Sequence, residues 1–490
     1  MNKPSAMIPA RLFTTFGTVL YVDEALGQLR HGSIEESPAN LFFELDPKRG
    51  APGRQGRLIH EVEGGRIPLV CDGESCRPAT VANEDHAAKG TWLELMPLER
   101  GLIGFAAGAK FLAATPDGKV DLSRPWCSTW ECFLASEDWC TDRAIIGEGP
   151  ASPPAAVIDK RTIAKYGIDP VLRMKSRPRS RCMKILIYGY PQWSHGRVYY
   201  DVSKYLYERS YIVDIINWQA DHSAHIEALL AYYDLVLTAP DGVGTLTDRW
   251  RVPYEKIIAV SHHEMDIRML IEQKGMEVFD RFAAYGVVSY FVYCASLMRG
   301  VTRAPKIASV GITYDDFHAE IPERLATVGY ASSMSVKTYG VEWKRGELAE
   351  AAARQAGLAF RKAGSTGNQI SFHDMPDFYR TVDAILTSSI SEAAQLPVME
   401  GAAAGRLVIG TPVGHFPLKA YQGGGIIAPV EAEKFTAFAA ETLRYYKENP
   451  AAYVEKCRAI QDAARQFDWQ NVIGEWVELI EEAKRHGSMG

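Results

Sequence analysis

Two glutamates, Glu392 and Glu400, stand eight positions apart in the segment SEAAQLPVMEGAAAG, residues 391–405. Leu396 and Pro397 lie between them, and Pro397 stands where a helix can begin, because a proline in the first turn sacrifices no hydrogen bond. Gly405 is a natural helix stop, and the apolar run LVIG follows it as a buried strand. That order puts Glu392 in a loop leaving a strand and Glu400 on the next helix. Both can face one ligand in the crevice beyond the strand ends. Carboxylates accept hydrogen bonds from hydroxyls, and the vicinal hydroxyls of a ribose can share one carboxylate. The helix start between the two offers free N–H groups to a diphosphate. A nucleotide-diphosphate sugar presents all of these groups.

Other segments carry weaker signals. GYPQWSHGR, residues 189–197, follows an apolar strand pattern, and its glycines, Gly196 among them, can bring backbone N–H groups to a phosphate or an acceptor. The full G-x-G-x-x-G spacing of a dinucleotide loop is missing. Tyr190 and Trp193 suit either stacking on a sugar or lipid-linked acceptor or packing of the loop itself. His262 and His263 follow the apolar run IIAV, and Lys344 and Arg345 precede a helical pattern. His415 follows a later strand and suits a structural role.

These residues need a scaffold. From about 183 to 490, apolar runs of four or five residues alternate with helical spacings: strand patterns at 183–189, 212–216, 235–237 and 257–260, and again at 326–330, 384–387 and 407–410. Such alternation implies parallel sheets covered on both faces. The restart after about residue 305 divides this region into two Rossmann-like domains, 183–310 and 311–490, the second including the C-terminal helices. Residues 1–140 differ: short alternating runs broken by Gly, Asp and Pro read as an all-β module. An echo runs through it, from VLYVD to GQL to LFF, and again from FLAA to GKV to WECF, with a fainter middle copy from Leu58 to Leu95 through Trp92. Three copies of roughly forty residues fit a three-fold repeat. Residues 141–182, with GEGPASPPAAV and the basic run MKSRPRSR, read as a linker.

The segment around the two glutamates resembles the E-x7-E element of retaining glycosyltransferases of family 4, which often reads E-G-F-G-L-P-V-x-E-A-x-A-x-G-x-P-V-I. It matches at Glu392, Glu400, Leu396-Pro397-Val398, Gly405 and the following V-I, and departs at Ala393-Ala394-Gln395. The resemblance covers about 183–480 and implies the GT-B fold, an α/β architecture of two Rossmann-like domains. It implies that Glu400 holds the donor ribose, that Glu392 holds hydroxyls of the transferred sugar, and that Lys344 or Arg345 neutralises the diphosphate. It also implies that His262 or His263 lies near the transferred sugar, and that Gly329 stands in the turn of Val328-Gly329-Tyr330. The β-module resembles a fascin-like β-trefoil.

The expected activity is transfer of a hexose-type sugar, with retention, from a nucleotide-diphosphate sugar to a glycan, lipid-linked or protein acceptor. No metal and no cofactor is expected. The rivals are another GT-B enzyme, such as a nucleotide-sugar epimerase or a phosphorylase, and a carbohydrate-binding protein with an inactive transferase domain. Net charge of −6 argues against a nucleic-acid partner. The N-terminal stretch lacks an apolar signal-peptide core, so a cytoplasmic location is expected, with peripheral membrane contact left open. The β-module offers a route to oligomers or a scaffold role. The eight cysteines lack tight zinc-knuckle spacing and read as reduced, buried small hydrophobes.

Overall fold

In a computed structural model, the described residues are 7–10, 12–16, 18–33, 36–46, 55–79, 90–98, 102–125, 127, 130–135, 183–190, 193–209, 211–218, 226–338, 341–364, 370, 374–416 and 423–487. The expected linker, 141–182, lies outside them. The chain forms two compact bodies, one of 1–186, 206–216 and 220–234, the other of 187–205, 217–219 and 235–490.

The first body holds the all-β module. Its strands are β1 (Met7–Pro9), β2 (Leu12–Thr14), β3 (Val19–Asp23), β4 (Gln28–Gly32), β5 (Leu41–Leu45), β6 (Gln55–Val62), β7 (Gly65–Cys71), β8 (Cys76–Pro78), β9 (Leu93–Pro97), β10 (Leu102–Ala107), β11 (Lys110–Ala114), β12 (Val120–Arg124) and β13 (Phe133–Ala135). The antiparallel order is β1-β5-β6-β9-β10-β13-β2-β3-β4. Because β1 and β2 are nearly contiguous, the run from β1 round to β2 returns to its own start. Three hairpins, β3-β4, β7-β8 and β11-β12, stand off this ring, and β4, β8 and β12 touch one another. Phe43, Phe105 and Phe133 fill the interior, with ring centroids 5.4 and 5.7 Å apart. Alternation along the strands drives this, since every second side chain faces the core.

Two expectations change here. Leu58, the expected start of the middle copy, belongs to ring strand β6, while the hairpins begin at residues 19, 65 and 110. Cys71 and Cys76 are not reduced hydrophobes: they face each other across the β7-β8 hairpin and form a disulfide. The body also extends past residue 140. It takes in part of β14 (Lys184–Gly189), most of β15 (Ile212–Asn217) and α2 (Ile226–Tyr232), which follows α1 (Trp193–Tyr207) in the chain. Phe16 packs edge-on against Tyr232 at 5.1 Å, and Lys184 caps the same ring at 4.5 Å.

The second body is mixed α/β with parallel sheets. Within it the order is β14-β16-β17-β18-β19, with β16 (Leu235–Thr238), β17 (Ile257–Ser261), β18 (Ala284–Val287) and β19 (Lys306–Ile307) paired in parallel. A second parallel sheet runs β23-β20-β24-β25-β26, from β20 (Thr327–Ala331), β23 (Ala359–Ala363), β24 (Ala384–Thr387), β25 (Leu407–Gly410) and β26 (Ile426–Ile427). Every residue of β16, β17, β18, β24 and β25 is buried, as doubly covered strands require. A small antiparallel pair, β21 (Ser335–Thr338) and β22 (Val341–Arg345), precedes a helix. The main helices of this body, besides α1, are α3 (Glu264–Lys274), α4 (Tyr290–Met298), α5 (Gly346–Gln355), α6 (Leu396–Ala403), α7 (Ala432–Glu448), α8 (Pro450–Ala464) and α9 (Trp469–Gly487).

The expected division at 310/311 puts the C-terminal helices with the second sheet. Helix α9 packs on β18 and β19 of the first sheet, not on the second. The absence of a side chain at Gly286 makes room for Leu479, whose Cδ2 lies 2.7 Å from where a Cβ would stand. Trp476 Nε1 donates to the Ser309 carbonyl at 2.9 Å, and Arg303 pairs with Glu482 at 2.7 Å.

Candidate functional site

The second body contains a cleft of about 620 Å³, lined from the carboxyl ends of both sheets. Its walls follow the ends of β14, β16, β17, β20 and β24, the place where open α/β sheets leave room for a ligand. Glu392 and Glu400 both line it. Proline at the start of α6 and the glycine after it produce the expected helix, with Gly405 in the left-handed region at φ 73°.

Glu392 sits in the loop between β24 and α6. It forms an ion pair with Lys344, and Ser389 Oγ donates to the same carboxylate oxygen at 2.7 Å. Glu400 is buried, and Tyr379 OH donates to its Oε2 at 2.7 Å. Burial pushes the Glu400 carboxyl up to about 7, against the Tyr379 hydrogen bond and Arg197, which pull it down. Burial works against the Arg197 cation, but Asp201, Asp316 and Glu400 outweigh it and hold its pKa above the ordinary value. Its guanidinium is bound to Asp201 at 2.8 Å and Asp316 at 2.9 Å, and Trp469 Nε1 anchors Asp201 at 2.9 Å.

On the opposite wall, His262 lines the cleft where β17 gives way to α3. Its ring lies 4.8 Å from that of His195, and Tyr199 OH stands 3.3 Å from its Nε2. Burial, then the neighbouring His195, holds His262 well below the usual imidazole range, so it is neutral at pH 7. Asp266 fixes this corner by accepting from the backbone N–H of His262 at 2.6 Å and of His263 at 2.9 Å. His263 caps α3, its Nδ1 accepting from Met265 N at 3.1 Å. Burial pushes Asp266 up to about 7 even though the His262 N–H favours its charged form. Ser391 reaches across to Glu264 at 3.2 Å.

The other expected site residues divide. Leu396, Pro397 and Lys344 line the cleft. Arg345 does not; its Nε donates to the Ser388 carbonyl at 2.7 Å, and Ser388 Oγ returns a bond to the Arg345 carbonyl at 2.6 Å. Gly329 is inside β20 rather than in a turn, packed so that a Cβ would stand 2.9 Å from Ile385, and Tyr330 to Ser333 line the cleft in its place. Gly196 is buried in the first turn of α1, where Ser194, His195 and Arg197 are the residues that reach the cleft. Pro191 and Gln192 lie outside the described residues. His415 packs on Phe467 at 5.6 Å and does not line the cleft.

Residues the motif did not point to are Arg197, Tyr379, Ser389, Asp241 and Asp266, whereas Gln395 stands inside the motif at its departure from the family's glycine. Two had a local signal: Arg197 and Asp201 stand at helical i,i+4 spacing, and Asp266 stands three residues after the cap of α3.

No protein-family model matches the chain, and no curated protein matches it. Several solved structures resemble it in shape. Sucrose-phosphate synthase from Thermosynechococcus elongatus is 14% identical, covers 62% of this chain and 99% of its own, and has a TM-score of 0.46. Anabaena HepE in complex with UDP and glucose is 15% identical over 61% of this chain and 99% of its own, with a TM-score of 0.46. The catalytic domain of starch synthase IV from Arabidopsis thaliana, bound to ADP and acarbose, is 12% identical over 63% of this chain and 99% of its own, with a TM-score of 0.49. At these identities the chemistry has to be read from this chain's own side chains.

Proposed function

We propose that this protein is a retaining glycosyltransferase of the GT-B type, moving a hexose-type sugar from a nucleotide-diphosphate sugar to a glycan, lipid-linked or protein acceptor. One observation carries the reading: Glu392 and Glu400 line the same cleft, with the N-terminus of α6 between them. Glu400 is the partner for the ribose hydroxyls, whose donated bonds favour its charged form. Glu392 is the partner for hydroxyls of the transferred sugar. Lys344, which pairs with Glu392 in the free protein, exchanges that partner for the diphosphate.

In the reaction, the bond between the anomeric carbon and the diphosphate oxygen breaks, and both electrons go to the oxygen. Lys344 and the positive end of the α6 dipole stabilise the charge that develops there. The acceptor hydroxyl enters on the same face and gives its proton to the leaving phosphate oxygen. His262, neutral and close to His195, lines the wall beside the sugar. The route needs no bound metal or cofactor. Among the described residues no helix is long and apolar enough to cross a membrane.

For the module of residues 1–140 we propose a β-trefoil, supported by the ring of strands and the three hairpins beginning at residues 19, 65 and 110.

The test is incubation with UDP-, ADP- and GDP-sugars, with and without glycan acceptors, following release of nucleoside diphosphate and the anomeric configuration of the product. Acceptor-dependent release with retention supports the reading. Interconversion of donors without acceptor points to an epimerase, an inverted product removes the retaining assignment, and no turnover of any donor removes the transferase.

A further inference from the structure

Gln395 combines three features that rarely occur together. It precedes α6 with φ 50° and ψ 60°, a left-handed conformation that residues with a side chain disfavour. It is 5% exposed, yet it lines the cleft. Neither end of its carboxamide, Nε2 or Oε1, has a hydrogen-bond partner. A buried amide with both ends unsatisfied is costly, and such a group in a native protein calls for a partner such as a ligand or an ordered water. The loop just before it is closely packed: a Cβ on Gly414 would come 3.0 Å from the Ala393 carbonyl oxygen.

We infer that Gln395 determines which sugar the cleft accepts, its carboxamide pairing with one accepting and one donating group on the transferred sugar. The inference rests on the transferase reading of the cleft. The amide's chemistry selects the target. Nε2 donates and Oε1 accepts, so a full match must offer both kinds of group. A diphosphate offers only acceptors and would leave Oε1 unpaired. A sugar meets the demand in two ways, through adjacent hydroxyls or through an acetamido group. Gln395 stands three residues after Glu392, the proposed sugar carboxylate, and directly before the helix start proposed to face the diphosphate. Sites built around buried polar groups discriminate strongly, because a ligand lacking the matching group leaves them unpaired.

The experiment compares binding of UDP, ADP and GDP with binding of UDP-glucose, UDP-N-acetylglucosamine, ADP-glucose and GDP-mannose by calorimetry, for wild type, Gln395→Leu and Gln395→Gly. Leucine keeps the bulk and removes both polar ends. Glycine removes the side chain and also relieves the left-handed backbone, so it guards against a folding defect; thermal melts check both variants. For the preferred nucleotide-sugar, both variants should bind about tenfold more weakly, while the matching nucleoside diphosphate binds within about twofold of wild type. Preference between UDP-glucose and UDP-N-acetylglucosamine identifies which pair of groups Gln395 reads, and that preference should shrink in both variants. Equal losses for nucleotide and nucleotide-sugar, or no loss for either, overturn the assignment of Gln395 alone. Failure of wild type to bind any nucleotide or nucleotide-sugar overturns the reading of the cleft, and this assignment with it.

Discussion

Replacing Glu400 with glutamine should make the ligand-free protein more stable in alkaline solution while abolishing donor binding. Burial lifts this carboxyl from 4.5 to about 7. A group whose pKa is raised on folding contributes its full share of stability below the unfolded value. It loses that share as the pH climbs through the folded one. At about 1.4 kcal/mol per pH unit, the interval from 4.5 to about 7 bounds the linked term at about 3 kcal/mol. The effective dielectric of a protein, well above that of a dry interior, brings this to about 1–2 kcal/mol. Glutamine keeps the shape and can still accept from Tyr379, but it carries no charge to bury. Thermal melts from pH 4 to pH 8 should therefore show the two proteins equal at pH 4. At pH 8 the variant should melt roughly 2–8 °C higher. Asp266, also pushed up to about 7, titrates in both proteins, so the difference between them isolates Glu400. A constant difference across this range, or a variant no more stable at pH 8, would refute the buried-carboxyl argument. The same logic applies to the ligand: ribose hydroxyls favour the ionised form, so nucleotide binding near pH 7 should release a proton. Calorimetry in buffers of different ionisation enthalpy detects it.

Three further outcomes follow from the geometry. Lys344→Met removes the cation proposed to meet the leaving diphosphate, and kcat for nucleoside diphosphate release should fall about 100-fold; an unchanged kcat would remove Lys344 from the chemistry. Tyr379→Phe deletes the hydroxyl bonded to Glu400, which should raise that carboxyl further and weaken nucleotide binding about three- to tenfold, read by titration at pH 7. Gly56→Ala should destabilise the β-module by about 1–3 kcal/mol, because the new Cβ would meet the Glu44 carbonyl at 2.7 Å. Donor binding should persist in that variant, as checked by calorimetry alongside a denaturant melt.

The sequence already disclosed the parts of the fold that are locally determined. Apolar runs such as IIAV and LVIG are continuous because both faces of their strands are covered, and Pro397 and Gly405 bracket α6 through their own backbone preferences. What escaped was set by distant residues. Helix α9 carries no mark saying which sheet it will cover; Gly286 and Ser309, far upstream, decide that. Gly329 suggested a turn by its type, but its neighbours Ile385 and Val382 fill the space above it, and it serves as a strand residue under close packing. Lys344 and Arg345 are adjacent and chemically alike, and only the pull of the Ser388 backbone takes Arg345 out of the cleft. Arg197 joins the site through Asp316, a partner more than a hundred positions away. Gln395 was visible only as a departure from a glycine pattern; its left-handed backbone and unpaired amide exist because the folded loop imposes them.

The most direct measurement is a crystal structure of the protein with an intact nucleotide-sugar selected by the binding panel. The ribose should lie against Glu400, the diphosphate at Lys344 and the start of α6, and the sugar between Glu392 and the His262 wall. A nucleotide bound elsewhere, or one whose ribose and sugar touch neither glutamate, would contradict the whole assignment.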